Sequence, residues 1–338
     1  MKNKTDKYIY NWLQVSLIVL VVMVFIGGLT RLTHSGLSIV YWKPVTGIMP
    51  PLSYNSWMDE FEKYKEYPEY KKNNFNMTLN EYKVIYYWEY IHRLLGRIIG
   101  MLFFIPFIYF YYKKYLNTIL VRKLSFLFLM GSFQGFMGWY MVKSGLVDIP
   151  EVSHYRLSIH LVLAFVIIGY IYKIQLSLKF FKRKVIENYN YYNKFIVIII
   201  LLFFFQIIYG AFMAGLKAGQ FWNTFPLIEG KVIPTGLFVS DPLYLNFLEN
   251  NKMVQFLHRY LGLLLMLLIY FFSYKLKNVN NVLNLKIRNL VTIVSCQVFL
   301  GIITLISNVP IILASFHQLI AIYLMLQLIN IKHFLKYK

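Results

Sequence analysis

The sequence predicts an all-α membrane protein whose eight transmembrane helices form two repeated four-helix bundles. Three observations lead to this prediction: an apolar composition, eight separate apolar stretches, and motifs that recur four helices apart. Apolar residues make up 58% of the 338 residues and charged residues only 14%. A soluble domain is nearer half apolar and a quarter charged, so the composition favours a protein embedded in lipid.

Eight apolar stretches are long enough to cross a membrane as helices, which takes roughly 20 residues each. They cover residues 12–28, 85–110, 124–142, 157–178, 195–214, 254–273, 290–307 and 311–330, and we number them spans 1 to 8. A tight turn separates the last two. This turn is Asn308-Val309-Pro310, with Pro310 at the helix start, where its missing N–H costs nothing.

The distribution of basic residues predicts that both termini are cytoplasmic. Lysine and arginine are concentrated in the terminal tails and in segments 113–123, 173–194 and 275–288, whereas 31–84, 143–156 and 217–252 are nearly charge-balanced. Under the positive-inside rule the first set faces the cytoplasm. The net charge of +21 is thereby explained without nucleic acid as a partner. No small-residue cleavage site follows span 1, so we expect this span to be retained.

An internal repeat divides the chain into an N-terminal half, 1–180, and a C-terminal half, 190–338. Each half contains the same three motifs, in the same order and on corresponding spans. They are HRxLG at His92 and His258, QxxxG at Gln134 to Gly138 and Gln297 to Gly301, and SxHxxxA around His160 and His317. Two parallel four-helix bundles are the architecture that this spacing indicates.

The four repeated histidines are the candidate ligands of a metal or haem. Each lies a few residues inside the outer end of its span, at a depth of roughly 6–10 Å. One such histidine is explained equally well as a polar group that hydrogen-bonds a neighbouring helix. Four at one depth, in two repeat-related pairs, favour ligation, because ionisable groups inside a membrane are costly. Two imidazoles that face each other across a helical bundle suit haem, with one axial ligand from each side.

The two halves differ three residues before the first histidine of each pair. Glu89 precedes His92, whereas Gln255 precedes His258. Residues three apart share a helix face, so both side chains are expected to point towards the pocket of their histidine. A carboxylate can move a proton or stabilise positive charge and an amide cannot, which makes Glu89 the candidate catalytic group. Pairing with Arg93, or orientation of a ligand, is the alternative role for Glu89.

Three arginines on the histidine-bearing spans are candidates to bind the haem propionates. They are Arg93, Arg97 and Arg259. Snorkelling towards the lipid headgroups explains them nearly as well. His34 and His154, near the outer ends of spans, are weaker candidates for contact with a haem edge. His333 is expected to be solvated in the cytoplasmic tail.

Several stretches of the sequence resemble the haem A synthase family of the proteobacterial and mitochondrial type. The likeness runs from about residue 20 to 330. It is carried by residues 27–33, 35–38, 42–47, 61–65, 68–70, 89–97, 134–142 and 223–227. Some bacterial members have a cysteine pair in the first outer loop. This chain has a single cysteine, Cys296, so a mechanism that needs that pair cannot operate here.

The resemblance implies a monooxygenase-type oxidoreductase that makes haem A from haem O for cytochrome oxidase. The C8 methyl group of haem O would become a formyl group through two successive hydroxylations with loss of water. The resemblance assigns the substrate haem to His92 and His160, a haem b cofactor to His258 and His317, and the essential acid to Glu89. It also implies a ferredoxin-like electron donor and haem O synthase as partners. The depth of the histidines places both haem sites towards the outer side, which is the periplasm if the membrane is a bacterial inner membrane; an organelle-encoded protein is the alternative. A homo-oligomer is left open.

Two other functions are compatible with the residues. One is a membrane b-type cytochrome that relays electrons from quinol. The other is a transporter of haem, since transporters also use repeated halves around a site within the membrane.

Overall fold

The computed structural model describes residues 4–42, 46–147, 150–179, 188–277 and 281–335. Within these ranges the chain forms helices and connecting segments, and one isolated β-bridge joins Ile228 to Lys231. In chain order the α-helices are α1 (Lys4–Leu32), α2 (Tyr54–Lys65), α3 (Pro68–Asn73), α4 (Leu79–Tyr112), α5 (Thr118–Gly145), α6 (His154–Lys179), α7 (Tyr189–Gly215), α8 (Leu245–Glu249), α9 (Asn251–Leu276), α10 (Asn281–Ile306) and α11 (Ile311–Phe334).

Eight of these helices are long and apolar enough to cross a membrane, namely all except α2, α3 and α8. Each corresponds to one predicted span, in the predicted order. The all-helical fold class and the eight spans are therefore confirmed. The orientation of the termini stays a prediction, and the basic residues Lys182 to Lys184 that contribute to it lie outside the described residues.

Polar side chains cap several spanning helices beyond the ends of the apolar stretches. The Thr78 side chain caps α4 in a capping box, in which Glu81 accepts a 2.8 Å hydrogen bond from the Thr78 N–H. Asn117 accepts from Leu120 N at 2.8 Å at the start of α5. These caps supply acceptors for N–H groups that have no partner inside a helix. The helices consequently begin several residues before the apolar runs that predict them.

The turn between α10 and α11 lies at the predicted residues, 308–310. Asn308 and Val309 both have positive φ angles, 60° and 57°, and the Val309 N–H donates to Thr304 O at 2.8 Å. Pro310 is the N-cap of α11, with an extended ψ of 138°, and its carbonyl accepts from Ala314 N at 3.0 Å. Helix α11 therefore begins at Ile311, the first residue of span 8.

The chain forms two compact units. One comprises residues 12–164, and the other comprises residues 1–11 with 165–338. The boundary lies inside α6, whereas residues 180–187, where the predicted halves meet, lie outside the described residues. The predicted halves, 1–180 and 190–338, stay a prediction.

The unit of residues 12–164 contains an aromatic cluster that joins the connection between α1 and α4 to the start of α4. Its buried members are Val40, Trp57, Phe61, Tyr64, Tyr82 and Tyr86. The Tyr82 ring stacks on Phe61 and on Tyr64, with ring centroids 5.0 Å apart in both pairs. The Tyr82 hydroxyl also donates to Ser38 O at 3.2 Å. This cluster packs α2 on α4 and fixes the segment that precedes α2.

The other unit is built around α7, α9, α10 and α11. Phe195 on α7 stacks on Phe272 of α9 with ring centroids 5.3 Å apart. Ile199 and Ile269 are fully buried in the same unit. In the connection between α7 and α9, Asn223 donates to Leu305 O of α10 at 2.8 Å. That hydrogen bond ties the connection to the end of a spanning helix.

Candidate functional site

The four predicted histidines lie on four different spanning helices. His92 is on α4, His160 on α6, His258 on α9 and His317 on α11. In one unit His160 is close enough to His92 for an electrostatic interaction, and in the other His258 interacts with His317 in the same way. The structure therefore brings together the same two pairs that the repeat indicates. Their role as ligands stays a prediction.

Each imidazole lies against a glycine of the helix that packs beside its own. A Cβ atom built on that glycine would approach the Cε1 atom of the ring closely. The distances are 2.8 Å from Gly27 to His92, 3.2 Å from Gly138 to His160, 3.3 Å from Gly210 to His258 and 2.8 Å from Gly301 to His317. Real Cβ contacts are essentially never shorter than 3.0 Å. Only a residue without a Cβ lets the rings at Gly27 and Gly301 lie this close to the backbone.

The exposure of the rings fits a pair of axial ligands to haem. In the described part of the chain, Nδ1 of His92, His160 and His317 is buried and has no hydrogen-bond partner. Each of these three residues is nevertheless partly exposed. Imidazole binds iron through either of its two ring nitrogens. Two such rings in an apolar bundle are a suitable donor set for haem.

Three of the four histidines also contact a glutamine located four residues before the glycine. Gln134 Nε2 donates to His160 O at 3.0 Å, and Gln206 Nε2 donates to His258 O at 2.9 Å. Gln297 Nε2 lies 3.4 Å from His317 Nε2. A further QxxxG motif, Gln206 to Gly210 on α7, was not among the predicted ones at Gln134 and Gln297. The same motif read along every span would have found them.

The Glu89 carboxylate is 2% exposed and is held by three groups. Its Oε2 accepts from Ser38 Oγ and from the Ile39 N–H, both at 2.8 Å. Its Oε1 forms an ion pair with Arg93, whose Nη2 also donates to Ile39 O at 2.9 Å. The buried carboxylate thus joins α4 to the residues that follow α1. The pairing of Glu89 with Arg93, predicted as an alternative role, is therefore present in the structure. Ser38 is a further partner that was not predicted from the sequence.

Gln255 occupies the corresponding place in the other unit with reversed hydrogen-bond polarity. Its Nε2 donates to Ala218 O at 3.0 Å and to Phe221 O at 2.6 Å. Its Oε1 accepts from Arg259 Nη2 at 2.9 Å. Arg259 Nη1 in turn donates to Thr224 O at 2.6 Å. The amide and the guanidinium hold the segment that follows α7.

The three arginines predicted to bind haem propionates differ in the contacts that they make with the protein. Arg93 and Arg259 direct Nη donors at main-chain carbonyls and at the side chain four residues earlier, as described above. Arg97 lies one turn further along α4 than Arg93 and is partly buried. Their contact with propionates stays a prediction.

The remaining histidines lie on or beside the ends of spanning helices. His34 is exposed and has a φ of 53°. His154 is the first residue of α6 rather than preceding it, and its ring packs on Tyr155 with centroids 4.0 Å apart. His333 lies inside α11 and is partly buried, which corrects the expectation of a solvated tail, because α11 continues to Phe334.

A second buried carboxylate, Glu69, lies in the short helix α3, outside the spans. The Tyr64 hydroxyl donates to its Oε2 at 3.1 Å and accepts from Asn74 Nδ2 at 2.7 Å. Burial raises the pKa of Glu69 to about 8 and also raises the pKa of Tyr64. At neutral pH Glu69 is therefore mostly protonated.

Comparison with known proteins connects this arrangement to a family. A protein named heme A synthase from Nitrosospira multiformis is 45% identical over 99% of this chain and 95% of its own length. One of the same name from Wolbachia pipientis is 43% identical over 93% of this chain and 88% of its own length. Another from Flavobacterium psychrophilum is 43% identical over 95% of this chain and 96% of its own length. The COX15-CtaA family, described as cytochrome oxidase assembly proteins, matches residues 10–329, and the chain belongs to this family.

Proposed function

We propose that this chain is a haem A synthase, an oxidoreductase that converts haem O into haem A for cytochrome oxidase. The C8 methyl group of haem O is hydroxylated twice, and loss of water leaves the formyl group. The observation that carries the proposal is the presence of two histidine pairs, only one of which has a buried carboxylate three residues before a histidine on the same helix. The names of the similar proteins support the same reaction.

His92 and His160 hold the substrate haem in this proposal, and His258 and His317 hold a resident haem b. When bound, haem b supplies one-electron redox chemistry. The glycine that each imidazole contacts has no Cβ, so it determines how closely the ring approaches the neighbouring helix. Both pairs lie in helices that are long and apolar enough to shield a porphyrin from water.

Glu89 is the proposed catalytic group of the substrate half. Ser38, the Ile39 N–H and Arg93 together provide three donors that hold its carboxylate in place. A carboxylate in the substrate half can stabilise positive charge or accept a proton during oxidation of the methyl group. Gln255 has neither capacity, which is why the reaction is assigned to the half that contains Glu89.

The protein is proposed to lie in a bacterial inner membrane, with both haem sites towards the periplasm. Haem O synthase would supply the substrate. A ferredoxin-like protein would supply electrons, and the basic residues of the predicted cytoplasmic segments suit an acidic donor.

Haem extraction tests the proposed function directly. The full chain is expressed in membranes with and without haem O synthase, purified, and its haems are separated by chromatography. A synthase contains haem b in both cases, and haem O or haem A only with the partner enzyme. Haem b alone under both conditions would overturn the proposal in favour of a b-type cytochrome.

Formation of haem A separates a synthase from a haem transporter. A transporter returns haem O unchanged, whereas a synthase converts it to haem A. A Glu66→Gln variant is the control for the substitutions of Glu89 discussed below, because Glu66 is an exposed carboxylate outside the spans.

A further inference from the structure

The same three-residue feature occurs in each of the two long connections that lead into a histidine-bearing helix. The connection between α1 and α4 contains Ile48-Met49-Pro50, and the connection between α7 and α9 contains Val232-Ile233-Pro234. We call these two segments the apolar tips. Neither has a part in the proposed reaction.

A tyrosine hydroxyl of the following spanning helix fixes the main chain of each apolar tip. On α4, the Tyr90 hydroxyl donates to Ile48 O at 2.6 Å. On α9, the Tyr260 hydroxyl donates to Val232 O at 2.9 Å. These hydrogen bonds hold the first residue of each tip beside a spanning helix, at a depth that the position of the tyrosine determines.

Both tyrosines lie well inside their helices. Helix α4 begins at Leu79, so Tyr90 lies about 16 Å along its axis at 1.5 Å per residue. Helix α9 begins at Asn251, which places Tyr260 about 13 Å along its axis. The apolar stretches of spans 2 and 6 begin about 9 Å and 4 Å along the same axes. Since a side chain leans back over no more than the preceding turn, about 5 Å, both carbonyls are level with the first turn of an apolar stretch or deeper.

The charged residues of the second connection lie nearer the start of α9 than its apolar tip does. Glu229 forms a 2.8 Å ion pair with Lys252, the second residue of α9. Asn250, which caps α9, donates to Gly236 O at 2.9 Å. The chain thus runs along α9 from Glu229 to Val232 and returns to the helix start by Gly236. The charges are level with the helix start, and the apolar tip lies further along it.

The composition of both segments suits the boundary between lipid headgroups and acyl chains. Residues 46–58 and 232–240 contain no charged residue. Each tip ends in a proline, Pro50 or Pro234, which has no N–H that would need a partner away from water. The tyrosine hydroxyls supply the donor that a carbonyl requires at this depth.

The second residue of each tip is an apolar side chain that is largely exposed. Met49 is 75% exposed and Ile233 is 70% exposed. The exposed surface continues on the adjoining helix, at Tyr87 one turn before the tyrosine of α4 and at Leu264 one turn after that of α9. An uncharged, anchored segment that extends the apolar surface of a spanning helix fits lipid better than water.

We propose that the two apolar tips insert into the lipid interface on the side of the membrane at which α4 and α9 begin, with Met49 and Ile233 in contact with acyl chains. Ser38 and Ile39, which hold Glu89, belong to the same connection as the first tip. The lipid contact and the buried carboxylate therefore share one segment.

Spin labels on single cysteines test this inference in the full-length protein, in vesicles of phosphatidylethanolamine and phosphatidylglycerol. Cys296→Ser removes the only cysteine of the chain, which is exposed on α10. Labels are then attached to Met49→Cys and Ile233→Cys, where no buried contact is lost. Electron paramagnetic resonance measures their collisions with oxygen, which dissolves in lipid, and with a nickel chelate, which dissolves in water. We expect collisions with oxygen to exceed those with nickel at both positions.

Glu66→Cys and Asp241→Cys are the matched controls, because they label exposed charged residues of the same two connections. Collisions with nickel should exceed those with oxygen at these positions. The same excess of nickel collisions at Met49 and Ile233 would place the tips in water and overturn the inference. Labels that neither reagent reaches would also overturn it, because haem or a second copy of the chain would then cover the tips.

Discussion

Ser38 Oγ donates a 2.8 Å hydrogen bond to the buried carboxylate of Glu89, although 51 residues separate the two in the chain. With the Ile39 N–H it saturates one carboxylate oxygen, and Arg93 pairs with the other. The reacting group proposed for the substrate half is therefore fixed by the segment that follows α1. The position of the Glu89 carboxylate thus depends on the segment between α1 and α2 as well as on helix α4.

Replacement of Glu89 by glutamine is expected to stop formyl formation while haem b remains bound. Glutamine keeps the shape of the side chain but removes the negative charge and the ion pair with Arg93. We expect haem A yield to fall at least 100-fold, the lower end of the range for a positioned acid or base. Chromatography of extracted haems measures the yield, with Glu66→Gln as control. A normal haem A yield from Glu89→Gln would refute the catalytic assignment.

Alanine substitutions of the four histidines should separate the two haems. His258→Ala or His317→Ala removes a ligand of the resident haem b, so haem b should be lost from the purified protein. His92→Ala or His160→Ala should leave haem b in place and abolish haem A formation. The measurements are a pyridine haemochrome spectrum and haem chromatography, with His333→Ala as control. Loss of the same haem in all four variants would contradict the two-site arrangement.

The glycines behind the rings should differ in their tolerance of alanine. A Cβ at Gly27 or Gly301 would lie 2.8 Å from an imidazole Cε1, whereas at Gly138 or Gly210 the distance is 3.2–3.3 Å. Overpacking of a close contact costs about 1–3 kcal/mol, so Gly27→Ala and Gly301→Ala should displace their rings and lower haem content.

Haem content per protein is the measurement for this series of alanine variants. Gly100→Ala is the control, since a Cβ there has nothing within 4 Å. Two outcomes would contradict the prediction: equal haem loss in all four variants, or no haem loss in Gly27→Ala and Gly301→Ala. Either would show that the close contact between glycine and imidazole does not position the ring.

The packing of α2 and α3 should weaken as the pH rises towards 8. The pKa of Glu69 is raised from 4.5 to about 8, so between these values the folded protein holds a proton that the unfolded chain has lost. The free energy of unfolding therefore falls as pH rises through this window and levels off above it. Hydrogen exchange of amides 57–70, measured between pH 6 and 9 and corrected for intrinsic exchange, reports the effect. Glu69→Gln should remove this pH dependence and Glu66→Gln should preserve it; the same profile in both variants would disprove the role of Glu69.

The spanning helices were predictable because their signal is local. A long apolar run suffices for each, and the paired histidines stand out because ionisable residues are rare in such runs. The helix ends were less predictable, since caps such as Thr78 and Asn117 lie outside the apolar stretches. Helices α2, α3 and α8 were not predicted, because their stability depends on packing against other segments.

The surroundings of the candidate site were only partly predictable. The sequence shows that a glutamate at position 89 corresponds to a glutamine at position 255. It also shows that Arg93, four residues after Glu89, is placed to pair with it. The contacts of Ser38 with Glu89 and of Gln206 with His258 join distant segments, so no periodic pattern contains them. The motif that includes Gln206 and Gly210 was nevertheless readable, and comparison of every span with every other would have revealed it.

The opposite hydrogen-bond polarity at Glu89 and Gln255 has a consequence for how such a protein can evolve. The carboxylate accepts a main-chain N–H, whereas the amide donates to main-chain carbonyls. A carboxylate at position 255 would meet the Ala218 and Phe221 carbonyls, which would repel it. An exchange of the two residues between the halves is therefore harmful unless the neighbouring connection changes with it. A single substitution at position 89 or 255 would therefore leave its neighbouring connection with unsuited hydrogen-bond partners.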